Sequence, residues 1–280
     1  MLFRLPTFTF LAALALFGGL SGCGVLKTTA DVSVENLSAK EIYDLGETKL
    51  NKRRHTDAAQ YFGEVERLYP YSEWAKRGVI MQAFAFHLGE DYENSRAAAQ
   101  RYIDFYPADD DAAYAQYLLA LSYYDQIDEV GRDQGLTVKA LQELRKVIEL
   151  YPNSKYAKES VDKFDLAMNH LAAKEMEVGR YYLKRGHFGA AVKRFRIVVQ
   201  DFQTTAQTPE ALHRLVEAYL SLGLKSEAQA AGAILGHNYK DTQWYNSSYD
   251  LLTQKGLKAD VIGNNWLSQV YRQTIKGEWL

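Results

Sequence analysis

One cysteine, Cys23, is present in 280 residues. A single thiol forms no intramolecular disulfide and builds no thiolate metal cluster, so Cys23 is reactive, modified or incidental. Proline numbers 5 and glycine 19, too few turn formers for a strand-dense chain, and helices are favoured. Charge of one sign is also missing: 33 Lys+Arg stand against 35 Asp+Glu, for a formal net charge of -2. Without a basic excess to neutralise a phosphate backbone, nucleic acid is not expected as a partner. No P-loop, G-x-S-x-G, G-x-G-x-x-G or H-E-x-x-H motif occurs. His55, His87, His170, His187, His213 and His237 form no ligand-spaced cluster, so no metal is expected. The acidic run Asp109 to Asp111 follows a proline, where carboxylates cap a helix N-terminus and complement its dipole. No catalytic residue or cofactor is therefore expected. A glycan hydrolase would need a marked carboxylate pair, and the sequence shows none.

Long apolar runs are scarce too. Phe8 to Leu20 spans 13 positions, interrupted only by Thr9, Gly18 and Gly19, and follows a short segment carrying Arg4. That is well short of the roughly 20 residues a membrane-crossing helix needs, and it has the pattern of a signal peptide over residues 1–22. The stretch Leu20-Ser21-Gly22-Cys23 resembles the lipobox of bacterial lipoproteins. That resemblance implies a diacylglyceryl group on the Cys23 sulfur, cleavage before it and acylation of its amine. The expected result is a tethered protein that does not span the membrane. An ordinary secretory leader with an unused cysteine is the other reading. Gly24 stands where Asp, in enteric lipoproteins, favours inner-membrane retention, so the resemblance implies the outer membrane, facing the periplasm. Residues 23–38 read as the lipidated cysteine and a flexible tether, small and polar with no helical stripe.

The rest of the chain is periodic. "ERLYPYSEWA", "IDFYPADDDA" and "IELYPNSKYA" recur, followed by the weaker "VQDFQTTAQT" and "GHNYKDTQWY". Aligned on Pro70, Pro107, Pro152, Gln203 and Lys240, the preceding residue is always aromatic: Tyr69, Tyr106, Tyr151, Phe202 and Tyr239. Two positions after the anchor stand Ser72, Asp109, Ser154, Thr205 and Thr242, all helix N-cap types. Twelve positions before it come Ala58, Ser95, Ala140, Ala191 and Ala228. Bulky side chains mostly follow at offsets of four and seven, tracing one helical face. A partner helix carries the matching small site at Gly46, Ala83 and Ala120, each 37 residues apart, then at Gly179, with Val216 another 37 on.

Paired helices with small residues at their crossing resemble the tetratricopeptide repeat (TPR), whose usual period is about 34. The expected fold is an all-α, TPR-like solenoid of five helix-turn-helix repeats. Two departures from the period stand out. The interval from Pro107 to Pro152 is 45, with the excess in "DQIDEVGRDQGLT"; that from Pro152 to Gln203 is 51, and residues 156–185 read as one long helix. The sequence thus divides into repeats 1–3 over 39–152, a connecting helix with repeats 4–5 over 153–245, and a tail over 246–280. Leu267, Tyr271 and Ile275 recur every four residues in the tail, as a solenoid cap or an extra partner helix.

Solenoids work by presenting a continuous concave surface. In the TPR pattern, residues three before and one after the first helix's small site face that groove. They are Tyr43 and Glu47, Ile80 and Phe84, Tyr117 and Leu121, with His87 and Tyr124 one turn on. Two uses stand: packing between repeats, or an aromatic trough for an extended peptide with Arg77 at its rim for a carboxylate.

With the lipobox, the three-plus-two array and the segments "GRDQGLTVKAL", "YYLKRGHFGAAV" and "LVEAYLSLGL", the chain resembles the BamD family, lipoproteins of the β-barrel assembly machinery. The resemblance covers Cys23 to about Tyr245. It implies a non-enzymatic role in folding and inserting outer-membrane β-barrels, with no cofactor beyond the lipid. The N-terminal repeats would receive C-terminal segments of unfolded clients. The C-terminal repeats would dock the periplasmic POTRA region of a BamA-like barrel protein, alongside other lipoproteins of the machinery. Arg132 and Asp133 match the family's RD pair, and Lys184, Arg185 and Gly186 its fourth-repeat turn, as structural signatures or partner contacts. Another periplasmic TPR adaptor, serving envelope constriction or peptidoglycan synthesis, is the alternative.

Overall fold

Residues 33–260 and 266–275 are described in this computed structural model, the last five as backbone; Cys23, its leader and most of its tether lie outside them. Contacts divide the chain between Asn36 and Leu37. The second part carries twelve helices among its described residues. They are α1 (Ala39–Asn51), α2 (His55–Leu68), α3 (Glu73–Leu88), α4 (Tyr92–Phe105), α5 (Ala112–Tyr124), α6 (Gly135–Leu150), α7 (Lys155–Lys184), α8 (Phe188–Asp201), α9 (Thr208–Leu222), α10 (Lys225–Asn238), α11 (Gln243–Gln254) and α12 (Trp266–Ile275). No described helix is long and apolar enough to cross a membrane.

Every helix from α1 to α11 packs on the next in sequence, and the odd-numbered helices also touch one another in order, α1 to α3 and on to α11. Among the described residues, consecutive even-numbered helices from α2 to α10 make no comparable contact. Helices packed closely along one row and splayed along the other curve toward the packed row, so the odd-numbered helices form the inner side. This is the TPR-like arrangement that the periodicity predicts. The two lobes are halves of one array, which the contacts do not separate.

The predicted small sites are where the helices of each pair cross. Ala83, Ala120 and Val216 are fully buried, as are Ala58, Ser95, Ala140, Ala191 and Ala228 opposite. The second helix of each pair ends in the same conformation. Tyr69, Tyr106, Tyr151, Phe202 and Tyr239 have φ between -128 and -138, and each donates its N–H to the carbonyl four residues earlier. Two of these aromatics reach back to the segment before their own repeat's first helix, Tyr69 through its hydroxyl to the Leu37 carbonyl at 2.6 Å and Tyr239 to that of Gln203 at 3.3 Å.

Ser72, Ser154 and Thr242 cap their helices as expected, each accepting from the N–H three residues on. Asp109 and Thr205 do not. In both cases one further turn intervenes, and α5 and α9 begin after Asp111 and Gln207. Asp109 uses its carboxylate on Tyr102 and Lys76, and the Thr205 hydroxyl turns back to the Phe202 carbonyl at 2.8 Å.

The 30 residues of α7 make a rod of about 45 Å. Its first half, with Tyr156 and Phe164, packs against Tyr117, Leu144 and Val147 of α5 and α6. Its second half, with Ala172 and Met176, enters the core around Phe195, Leu212 and Leu215. Helix α11 packs on α9 and α10, and α12 returns to α10 with Leu267 fully buried. The side chains of Tyr271 and Ile275 lie outside the described residues.

Five first-row helices, α1, α3, α7, α9 and α11, end alike. Arg53, Glu90, Gly186, Gly223 and Gly256 all have φ between 57 and 75, with paired hydrogen bonds back to the last helical turn. Glycine takes this left-handed conformation without cost, whereas a side chain costs roughly 1 to 2 kcal/mol there. Glu90→Gly is therefore expected to stabilise the fold by about 1 kcal/mol, read as a higher urea midpoint; an unchanged or lower midpoint would contradict this account of the turn.

Candidate functional site

The first-row helices of repeats 1–3 bring the predicted groove residues onto one side, but not equally into the open. Tyr43, Ile80 and Tyr117 are 9%, 6% and 6% exposed. Helices α1, α3, α5 and α7 touch in succession, and the position three before the small site is spent on that junction. Tyr43 meets Trp74 of α3 at 5.1 Å, Ile80 packs with Ala115 and Leu119 of α5, and Tyr117 meets Tyr156 of α7 at 5.3 Å. As surface contacts these three are corrected: they hold the groove's wall together from behind.

The position one after the small site stays open. Glu47 is exposed, and Phe84 and Leu121 are half-buried, as is Tyr124 one turn on. His87 is latched instead, its Nδ1 3.3 Å from Ser122 Oγ and its Nε2 3.1 Å from Asp125. Arg77 is exposed over the Trp74 ring at 5.2 Å and pairs with no carboxylate among the described residues. Lys40 approaches the same ring at 5.5 Å.

The structure adds Trp74, Tyr114 and Tyr156, which the repeat pattern did not single out. Phe84, Tyr114, Tyr156 and Tyr117 form an aromatic ladder across α3, α5 and α7, with centroids 6.4, 5.0 and 5.3 Å apart. A signal existed for two of them: Trp74 and Tyr156 both stand four residues past their repeat's proline. Burial pushes the Tyr114 hydroxyl up to about 12, and burial with a 2.9 Å hydrogen bond to Glu159 raises that of Tyr117 further. These phenols stay neutral at neutral pH, so the rings themselves bring no charge to the row, whose charged neighbours are Lys155, 5.0 Å over the Tyr156 ring, and Glu159.

The signature residues sit in turns. Arg132 pairs with Asp128 at 2.8 Å, and the Asp133 carboxylate accepts from the Gly135 N–H at 3.2 Å. The insertion is pinned to α7, since His170 Nδ1 lies 3.0 Å from Gln134 Oε1 and Lys174 donates to the Gly131 carbonyl at 2.6 Å. Lys184 closes α7, Gly186 supplies the left-handed residue, and the Arg185 guanidinium lies 4.4 Å over the Tyr181 ring.

Wrapping one chain into paired helices with an open inner row makes this a helical-repeat scaffold, the class of protein that works by presenting a surface. Comparison with known proteins identifies which one: residues 35–234 match the family model YfiO, outer membrane lipoprotein, and the chain belongs to that family. Relatives named outer membrane protein assembly factor BamD include that of Caulobacter vibrioides, 41% identical over 251 residues, which are 90% of this chain and 82% of that protein. That of Rickettsia prowazekii is 39% identical over 243 residues, 86% of this chain and 96% of that protein. That of Xylella fastidiosa is 27% identical over 258 residues, 88% and 87% respectively. Among solved structures, the TPR domain of P58(IPK) has a TM-score of 0.39 at 12% identity, over 86% of this chain and 61% of that one.

Below the row, repeats 2 and 3 are joined electrostatically. Lys76 Nζ at 2.8 Å and the hydroxyl of buried Tyr102 at 2.7 Å both donate to Asp109. They hold Asp109 at about 2, below the usual 3.8. A carboxyl more acidic in the folded than in the unfolded chain stabilises fully above about pH 4 and loses this contribution as the pH falls toward 2. Asp109→Asn is expected to cost about 2 kcal/mol at pH 7, with the urea midpoints of the two proteins converging in acid; equal midpoints at pH 7 would refute the linkage.

Proposed function

We propose that the chain is a non-enzymatic scaffold for folding and inserting outer-membrane proteins, held at the periplasmic face of the outer membrane by lipid on Cys23. What carries this reading is the open apolar row along the inner helices of repeats 1–3, in a chain whose relatives are named outer membrane protein assembly factors. Phe84, Leu121 and Tyr124 offer hydrophobic contact, and Arg77 offers a guanidinium for a carboxylate. This chemistry suits the C-terminal segment of an unfolded barrel protein bound in extended form. The C-terminal repeats dock a BamA-like barrel protein, and further lipoproteins of the same machinery complete the complex. Catalysis has no part in the role.

Two chains of lipid on one residue anchor a protein stably where one chain would not. The anchor is tested by Cys23→Ser, which is expected to remove the protein from the outer-membrane fraction; retention in the outer membrane would refute it. Purification of the lipidated protein in mild detergent is expected to bring a BamA-like barrel protein with it. Its absence would overturn the assembly role while leaving the anchor standing.

A further inference from the structure

A second surface adjoins the inner row at Tyr124, where the third repeat hands over to the fourth. Helix α7 serves two repeats, packing on α5 and α6 through its first half and on α8 and α9 through its second. Near its middle the packed face changes, and one stripe is left open. The 125–134 connection folds against that stripe, held by the Gln134–His170 and Gly131–Lys174 contacts. Between them is a cleft of about 410 Å³, lined by Tyr124, Ile127 and Val130 on one side and by Leu166, His170 and Ala173 on the other.

Its floor is apolar, and Leu166 is 61% exposed although it stands in the middle of the longest helix. An exposed leucine within an apolar concavity marks an interaction site more strongly than one scattered on a convex surface. Acidic groups surround it. Asp128 belongs to the lining, where Arg132 pairs with it. Asp162, one turn before Leu166 on the same stripe, and Asp165 beside it are exposed and have no ion pair among the described residues. Of the cations nearby, Lys163 lies 5.0 Å over the Tyr124 ring and Lys174 donates to the Gly131 carbonyl, while Lys158, one turn before Asp162, is exposed and makes no ion pair among the described residues. Two unpaired carboxylates thus flank an apolar floor.

We propose that this cleft binds a protein segment carrying one bulky aliphatic or aromatic anchor between lysines or arginines, with the anchor on Leu166, Ile127 and Val130 and its cations on Asp162 and Asp165. Tyr124 borders both this cleft and the client row, but Leu166, Ile127, Val130, Asp162 and Asp165, on which the proposal rests, are not in that row. Opposite charge around an apolar anchor sets specificity and raises the rate of encounter.

The test uses the full mature chain in detergent and two labelled twelve-residue peptides, each with a central Leu-Phe pair, one flanked by lysines and the other by glutamates. The lysine peptide is expected to bind at least tenfold more tightly and to shift the methyl signals of Ile127, Val130 and Leu166. Leu166→Asp, at an exposed position, is expected to weaken binding at least tenfold, and Asp162→Lys with Asp165→Lys to remove the preference between the peptides. Leu224→Asp, another exposed apolar position, serves as control and is expected to leave binding unchanged. Equal binding of both peptides, or a Leu166→Asp protein that binds normally, overturns the proposal. So does a shift of the same methyl signals by neutral lipid vesicles with neither peptide bound, which would assign the cleft to a lipid surface.

Discussion

The array depends on close helix crossings, which at Gly46 and Gly179 admit no side chain at all. A Cβ on Gly46 would lie 2.7 Å from the Phe62 ring, and one on Gly179 would lie 2.4 Å from that of Phe195. In repeats 2 and 3 alanine takes the same place, at Ala83 and Ala120, facing Ser95 and Ala140. Where Ser95 stands, its hydroxyl donates to the Ala83 carbonyl at 2.9 Å, so the backbone itself is within reach across the crossing. Packing this close lets the two helices of a repeat form one slab, and stacked slabs bury what a single pair could not. The inner row, the curvature and the turns on each edge follow from that unit.

Much of the unit is written in the sequence because the constraint is local and repeats. Small residues at the crossings, bulky ones at offsets of four and seven, and an aromatic before each anchor all signal through spacing. The long helix was legible for the opposite reason, since residues 156–185 contain no proline and one glycine. Three kinds of feature were not legible. Contact between successive first-row helices buries Tyr43, Ile80 and Tyr117, and one repeat's pattern does not reveal what its neighbour covers. Arg53 and Glu90 take a conformation usually given to glycine, so composition concealed a turn shared by five helices. Asp109 and Thr205 are residues suited to an N-cap that bond elsewhere, which only the tertiary partners decide.

The third repeat departs from its neighbours in ways that bear on function. Its connection is longer than the others, yet it is not a loose insertion, because Gln134 and Gly131 fasten it to α7. The same helix joins the aromatic ladder at Tyr156 and carries Ala172 and Met176 into the core of the C-terminal half. Aromatic ladder, insertion and C-terminal core therefore meet on one helix. An array built this way can hold two partners at a fixed separation, which is what a scaffold for membrane insertion requires.

The claim that clients lie along the open inner row is tested most directly by photocrosslinking in cells. A photoreactive residue at Leu121 or Phe84 is predicted to trap newly exported barrel precursors, while one at Leu224 traps none. Absence of precursor at both inner positions, with capture at the outer one, would contradict the account.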